Sequence, residues 1–527
     1  MISAIRVFNL RSLRDTGFID LKKINILLGV NSSGKSTFLR SFPLLAQSIK
    51  RDLRNAISWF DDSSVDFGDY RSSKCAFAAE ADCIGFEYRL ESPRQAYHYL
   101  LFSKYGRRIG QNLSDGITVR IDYADDDFGT YLKSVQFDLN SIQYHVSVNH
   151  RNSALHFGVN GADVDELVTM RYSEANHRGI IPEIVIDFPQ RQQGFSPEID
   201  EISDLYASQL RIALMRYCSK KLRNDSRLQE IIDNWSYDKK RFLLFLQNEV
   251  SISSFKNKAR KWSIEDPAFV SLYNKVALVY CFALFPTINE ELTSFYRNCG
   301  YIAPIRAEAN RYYRNQGLQV EEVDAYGRNL QEFVSSLNDE QMESYNKFCE
   351  NVLGVGVSVD PSGGLNSIMI KNKSGRYNLS DVGFGYSQIL PIVTKLWYSS
   401  QLLSSNMRLR LDSLSRTFLI EQPELHLHPA MQAKIADAFI ECSRPYAQTF
   451  MNREYKLNRC LILETHSAAI INRIGRRVRE KKIAPEDINI IFFEKGPDGG
   501  ETTIRQISFD EDGRLKNWPY GFFDPND

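Results

Sequence analysis

The sequence predicts an α/β chain: a mixed core sheet flanked by helices, with an antiparallel β lobe and a helical insertion attached. Three observations predict it. A strand, a glycine turn and a helix start follow one another at 24–38. A stretch from about 64 to 190 alternates apolar and polar residues with period two. Residues 197–298 then switch to helical periodicity with few glycines. The 527 residues divide accordingly into an N-terminal part, 1–190, a helical insertion, 191–300, and a C-terminal part, 301–527.

In order, residues 1–23 read as two short strands, Ala4–Leu10 and Gly17–Leu21, paired across Ser12-Leu13-Arg14-Asp15. The apolar run Ile24–Leu28 leads into Gly29-Val30-Asn31-Ser32-Ser33-Gly34-Lys35-Ser36-Thr37, a G-x-x-x-x-G-K-[ST] match in its required strand–turn–helix context. Gly29 and Gly34 allow the backbone N–H groups to close around phosphate oxygens, and the helix start adds its positive dipole end. Lys35 is placed to reach the β- and γ-phosphates and Ser36 to ligate Mg²⁺; Asn31, Ser32, Ser33, Gly34 and Thr37 complete the cradle. The loop implies a bound nucleotide. Pro43 is expected to kink or end the first helical segment, and 46–60 has an amphipathic helical pattern.

The period-two segments are Phe86–Leu90, Tyr97–Phe102, Ile117–Tyr123, Tyr131–Leu139, Tyr144–Val148 and Ala154–Val159, separated by turn residues as in a meander. Helices are expected over Glu201–Lys221, Ser226–Asn234, Lys239–Asn248 and Val270–Leu284. Between 211 and 261 stand 13 Lys or Arg against 5 Asp or Glu, grouped as Lys220-Lys221-Arg223, Lys239-Lys240-Arg241 and Lys256-Lys258-Arg260-Lys261. With Trp235, Tyr237 and Trp262 interleaved, this is either a surface for a phosphate backbone, DNA or RNA, or an ordinary solvated helical face. Arg306, Arg311 and Arg314 offer the same pair of readings: phosphate contacts or surface arginines.

Residues 350–378 read as strands joined by turns at Gly363-Gly364 and Lys373-Ser374-Gly375. Gly383 and Gly385 then precede an apolar helix over Ile389–Leu396, with Pro391 in its first turn and Ser380 or Asp381 as cap. Thr417-Phe418-Leu419-Ile420 is a core strand ending in Glu421-Gln422-Pro423-Glu424, and an acid at that position is where a Walker B motif holds magnesium. Cys460-Leu461-Ile462-Leu463 repeats the theme and ends in Glu464-Thr465-His466-Ser467. His426, His428 and His466 near three glutamates invite a zinc reading, but the two alternating histidines lack a second anchored pair.

Composition bounds the function classes. An apolar fraction of 43% and a charged fraction of 25% are those of a globular chain. No apolar run reaches the roughly 18 residues of a membrane helix, and the amino terminus lacks signal-peptide architecture. Eight scattered cysteines without a C-x-x-C pair point to a reducing cytoplasm. Net charge is zero, so attraction to nucleic acid has to come from a local patch.

The order of phosphate loop, glycine signature, Glu421–Pro429 and Glu464–Ser467 resembles the ABC/SMC-type ATPase head. Within it the chain is most similar to AAA ATPases of the overcoming-lysogenization-defect (OLD) family and of Septu-type and retron-associated phage defence. The resemblance covers about 1–70 and 300–527, including the ending Trp518–Asp524. It implies ATP and Mg²⁺ as cofactors and a homodimer or higher oligomer in which each ATP lies between one subunit's loop and the other's signature. It implies that Lys35, Ser36 and Thr37 bind phosphates and metal, with Glu421 as the Walker B acid. It also implies that Gly383 and Gly385 form the signature and that His466 senses the γ-phosphate. Gln422 stands where the catalytic glutamate of such heads stands. An amide orients water but cannot take its proton, which leaves Glu424 as the substitute base. The resemblance further implies a regulatory ATPase of antiviral defence acting on a separate effector such as a nuclease. The 61 residues after His466 are fewer than a Toprim module of roughly 100 requires. The alternative is a DNA-repair or chromosome-maintenance clamp on duplex DNA. Arg473, Arg476, Arg477, Arg479, Lys481 and Lys482 are either a contact for DNA or that effector, or a solvated helix end.

Overall fold

The computed structural model describes residues 2–50, 55–91, 104–106, 116–139, 142–149, 153–164, 170–172, 179–181, 184–186, 199–219, 226–314, 317, 320, 322–400, 415–444, 446–450, 453–496 and 500–516. It falls into two compact units. One comprises Ala4–Ser48, Ser58–Asp82 and Phe295–Asp527; the other comprises Met1–Ser3, Ile49–Ile57 and Cys83–Ser294. The expected strand at 97–102, the cluster Lys220-Lys221-Arg223 and the ending at 518–524 lie outside the described residues.

The first unit is built on a parallel sheet. Its elements are β1 (Ile24–Gly29), α1 (Lys35–Lys50), β2 (Cys299–Ile302), α2 (Phe384–Ser400), β3 (Ser415–Glu421) and α3 (Pro429–Ser443). The rest are β4 (Arg453–Glu464), α4 (Ala468–Arg479), β5 (Ile488–Lys495) and β6 (Thr502–Ile507). The strand order is β2-β3-β4-β1-β5-β6, parallel except for the pair β5/β6, and Tyr446–Phe450 adds antiparallel to β4 off this path. Strands covered on both faces read as continuous apolar runs, and β1 is buried along its whole length. Register aligns Glu421 with Glu464 and Glu464 with Leu27, so two carboxylates end neighbouring strands beside the phosphate loop. Helices pack on this sheet through Ile389, Val393, Ile435, Phe439, Ile470 and Ile474. Ile2–Leu10 pairs with both Leu13–Asp15 and Ile19–Asp20, so the expected turn at 12–15 is itself partly strand. The predicted 350–378 segment supplies Gly356–Ser362, Leu365–Asn372 and Gly375–Asn378 to a four-stranded antiparallel sheet completed by Tyr313–Arg314.

The other unit carries the meander. Ile84–Leu90, Ile117–Asp126, Gly129–Leu139, Ile142–Asn149 and Ala154–Val159 pair antiparallel in sequence order. Its helices are Ile199–Leu214, Gln229–Asp233, Lys239–Asn248, Ser253–Ala259 and most of Pro267–Arg297. The last is apolar on every side, which is why it outruns the predicted 270–284. It is long and apolar enough to cross a membrane, yet 83% of its most apolar window is buried within the protein.

Two expectations about proline are corrected. Pro43 lies inside one continuous helix, α1, whose Phe38, Leu39, Phe42, Leu44 and Leu45 are all buried. Burial on this scale outweighs the one hydrogen bond that proline forfeits. Pro391 is likewise interior, because α2 begins at Phe384. Nor does Ser380 cap that helix: Asn378 accepts its N–H at 3.0 Å and starts a separate 3-10 turn over Leu379–Asp381. The expected α/β architecture, with mixed and antiparallel sheets flanked by helices, is observed.

Candidate functional site

Two positions of the 29–37 loop require glycine. Gly29 has φ +145° and Gly34 φ +96°; a Cβ on Gly29 would meet the Phe493 carbonyl oxygen at 2.3 Å, and one on Gly34 the Leu13 side chain at 2.7 Å. Ser32 also takes a positive φ, +61°. These turns leave the Lys35 ammonium folded onto its own loop, donating to the Gly29 and Val30 carbonyls at 3.0 and 2.8 Å. Burial lowers its pKa, and Glu464 nearby works in the opposite direction. Ser33 Oγ is buried with no hydrogen-bond partner among the described residues.

Ser36 and Arg40, one turn apart on α1, face the two strand-end acids. Ser36 Oγ donates to Glu464 Oε1 at 2.8 Å. Arg40 donates Nε and Nη2 to Glu421 Oε1 and Oε2, both at 2.8 Å, and the Tyr301 hydroxyl donates to Oε1 at 2.7 Å. The pair expected to share the metal, Ser36 and Glu421, therefore have different partners. Burial and the neighbouring Glu421 push the Glu464 carboxyl up to about 7. Arg306 is not a surface arginine but is 2% exposed, with Nη2 on the Glu421 and Gln422 carbonyls at 2.8 and 3.4 Å. Burial brings its pKa down to about 10, against the pull of Glu424 and Glu421.

Beyond Glu421 the chain turns sharply. Gln422 takes φ +42°, a left-handed conformation costly for a side chain with a Cβ, and its N–H donates to the Glu464 carbonyl at 2.8 Å. The turn that follows brings Glu424, rather than Gln422, onto the end of β4. Its Oε2 accepts from Thr465 Oγ1 at 2.8 Å and its Oε1 from the His466 backbone N–H at 2.7 Å. Burial raises its pKa against those two hydrogen bonds. The His466 imidazole has its pKa lowered by burial and by Lys35. Glu424 retains two lone-pair positions, so the arrangement can hold a water and take its proton.

Gly383, at φ +89°, and Phe384 are exposed, and a Cβ on Gly385 would come within 3.4 Å of the His426 carbonyl. Phe384 packs edge-on against His426 at 4.8 Å. His428 caps α3 by accepting from the Ala430 N–H, which gives it a structural task. Asp381 pairs with Arg311. Asn31 is exposed and Thr37 is half-buried in the first turn of α1.

The basic segments are less available than their sequence implies. On α4, Arg473 and Arg477 both grip Asp437, and Arg476 and Arg477 both pair with Glu480. In the other unit Trp235 is buried and stacks on Tyr280 at 4.7 Å, while Trp262 is half-buried and packs on Tyr217 and Phe255. Lys240, Arg241, Lys258, Arg260 and Lys261 remain exposed. Arg40 and Tyr301 went unrecognised in the sequence, as did the burial of Arg306 and the hydrogen bond from Thr465 to Glu424. The i, i+4 spacing of Ser36 and Arg40, which puts both on one helix face, was the available signal.

Residues 1–471 match a family model described as an AAA ATPase domain, and residues 483–527 match one described as a protein of unknown function (DUF3696). No curated protein matches the chain. Among solved structures it is similar to an Smc head domain with an extended coiled coil, bound to the C-terminal domain of ScpA, from Pyrococcus furiosus. The identity is 11%, with 96% of each chain covered and a TM-score of 0.34. It is also similar to the SMC head domain of Thermotoga maritima, at 9% identity, covering 96% of this chain and 98% of that one, with a TM-score of 0.30.

Proposed function

This chain belongs to the AAA ATPase domain family, and from that premise we propose that it binds ATP with Mg²⁺ on its 29–37 loop and hydrolyses it with Glu424 as base. The observation that carries the hydrolysis reading is the Glu424 carboxylate held by Thr465 and the His466 N–H. Burial raises its pKa, the direction that makes a carboxylate a stronger proton acceptor. Gln422 orients the attacking water, His466 senses the γ-phosphate, and Ser36 with the strand-end acids holds the metal. The glycines forced by close packing at positions 29 and 34 and the buried Lys35 support the nucleotide site. Magnesium would supply charge neutralisation for the phosphates.

The wider reading is a homodimer in the cytoplasm, each Gly383-Phe384-Gly385 signature, exposed at Gly383 and Phe384, closing on the partner's nucleotide. Within it, residues 1–190 and 301–527 build the head and 191–300 form the insertion. Its role is a sensor or regulatory ATPase of bacterial defence against phage that controls a separate effector such as a nuclease; the motif order and its resemblance support this. The clamp on duplex DNA is the second reading, favoured by the exposed Lys240, Arg241, Lys258, Arg260 and Lys261.

Phosphate release and oligomer mass with ATP and Mg²⁺, compared between wild type and Lys35→Ala, test the core. Turnover and ATP-dependent assembly that vanish in Lys35→Ala are expected; no nucleotide effect on either would sink it. Phage plating on cells carrying the gene with its neighbours tests the defence role, with protection expected to depend on Lys35.

A further inference from the structure

The two strand-end carboxylates are not equivalent, and α1 makes the difference. Glu421 has its charge matched by a bidentate guanidinium and a third hydrogen bond from Tyr301. Glu464 is 3% exposed, yet Ser36 satisfies only its Oε1, and Oε2 has no hydrogen-bond partner among the described residues. The one nearby ammonium, Lys35, is engaged by two loop carbonyls. A buried carboxylate oxygen without a donor is costly and calls for a cation or a bound water. Strand order adds position. β4 is hydrogen-bonded directly to β1, whereas β3 lies one strand further out, about 4.8 Å.

We propose that Glu464 is the carboxylate that positions the nucleotide's magnesium ion through Ser36, and that Glu421 serves as the partner of Arg40. This rests on the reading of the chain as a Mg·ATP-binding ATPase and reassigns the metal-facing acid within it. A serine hydroxyl has one hydrogen and two lone pairs. Ser36 therefore keeps its hydrogen on Glu464 while a lone pair faces the ion. The free Oε2 accepts from a water of the ion's shell, several of which Mg²⁺ retains. Glu464 is thus a positioning residue: it fixes the rotor of the hydroxyl and keeps one carboxylate oxygen open, whereas Arg40 occupies both oxygens of Glu421.

The test uses the full chain with Mn²⁺ and ATPγS, counting free Mn²⁺ by electron paramagnetic resonance, beside mant-ATP binding in EDTA. In Glu464→Gln, which keeps the size and an acceptor for Ser36, Mn²⁺ affinity in the ternary complex is expected to fall about tenfold or more. Its mant-ATP affinity in EDTA should hold or tighten, because one negative charge beside the triphosphate is gone. Glu464→Asp is expected between the two, and Glu421→Gln to lose less Mn²⁺ affinity than Glu464→Gln. Retention of Mn²⁺ by Glu464→Gln within about twofold of wild type overturns the assignment. So does a larger loss in Glu421→Gln, or a Glu464→Gln loss that is equal with and without metal. If wild type binds no nucleotide in either condition, the ATP reading falls and this inference with it. If wild type binds nucleotide and Mn²⁺ and Glu464→Gln keeps both, this inference alone falls.

Discussion

Arg40 holds Glu421 through two parallel hydrogen bonds of 2.8 Å, a fork on a carboxylate that is almost wholly buried. A bidentate guanidinium pair is strong in geometry, but its larger consequence appears when one partner is removed. Arg40→Ala leaves Glu421 charged, buried and held only by Tyr301. Unfolding free energy should drop by about 3 kcal/mol, somewhat less if water reaches the half-exposed Arg40 side. Adding Glu421→Gln to Arg40→Ala should recover much of the loss. Urea unfolding of the two single variants and the double variant checks both statements.

Glu464 ties stability to pH in the metal-free protein. Its folded pKa, about 7, lies above the ordinary 4.5. The folded state therefore binds the proton more tightly, and the stability linked to it is present below about pH 4.5 and lost as pH rises through 7. That gap corresponds to about 3 kcal/mol. Glu464→Gln, always neutral, should unfold at a higher temperature than wild type at pH 8 in EDTA. The advantage should shrink to nothing near pH 4, as read by paired thermal melts across that range.

Glu424→Gln should lower kcat for phosphate release by about 100-fold or more while leaving mant-ATP affinity within a few-fold, the pattern of a lost proton acceptor. Gln422→Glu tests the other candidate. If the amide keeps turnover slow, this substitution raises kcat; if Glu424 is already the base, it changes kcat little. Steady-state phosphate release for the two variants separates the cases.

Gly34→Ala should abolish nucleotide binding. The added methyl would have to share space with Leu13 and Ser12 while the backbone sits at φ +96°. Either term alone is worth about 1–3 kcal/mol. The check is mant-ATP titration alongside a melt, with Gly363→Ala as a control, since that turn has nothing within 4 Å of an added Cβ.

Much of this architecture was legible because it is local. The glycine loop after Ile24–Leu28, the period-two strands from 117 to 159 and the helix at 239–248 are written in runs of adjacent residues. The site was legible at its endpoints, the twin strands ending in Glu421 and Glu464. What escaped were pairings set by strand order. Which acid meets Ser36 depends on β4 lying between β1 and β3, and nothing in the order of the chain states that. Arg306 escaped for the same reason: burial of its guanidinium is a property of the assembled unit. The aromatics near 235–262 misled because their basic neighbours suggested a binding face, whereas Trp235 is buried and Trp262 packs on Tyr217 and Phe255.

Gln388, four residues into α2, bonds both the N–H and the carbonyl of Arg306, at 3.4 and 3.2 Å, and Arg306 in turn holds the carbonyls at the end of β3. Only two residues thus separate the glycine turn at 383–385 from the backbone that aims Glu421 and Gln422. A load placed on that turn reaches the strand end through these two buried side chains. By reciprocity, the state of the strand end sets how readily the turn accepts the load. The wiring is short enough for one amide to act as a fuse: Gln388→Ala should leave both ends intact and unacquainted.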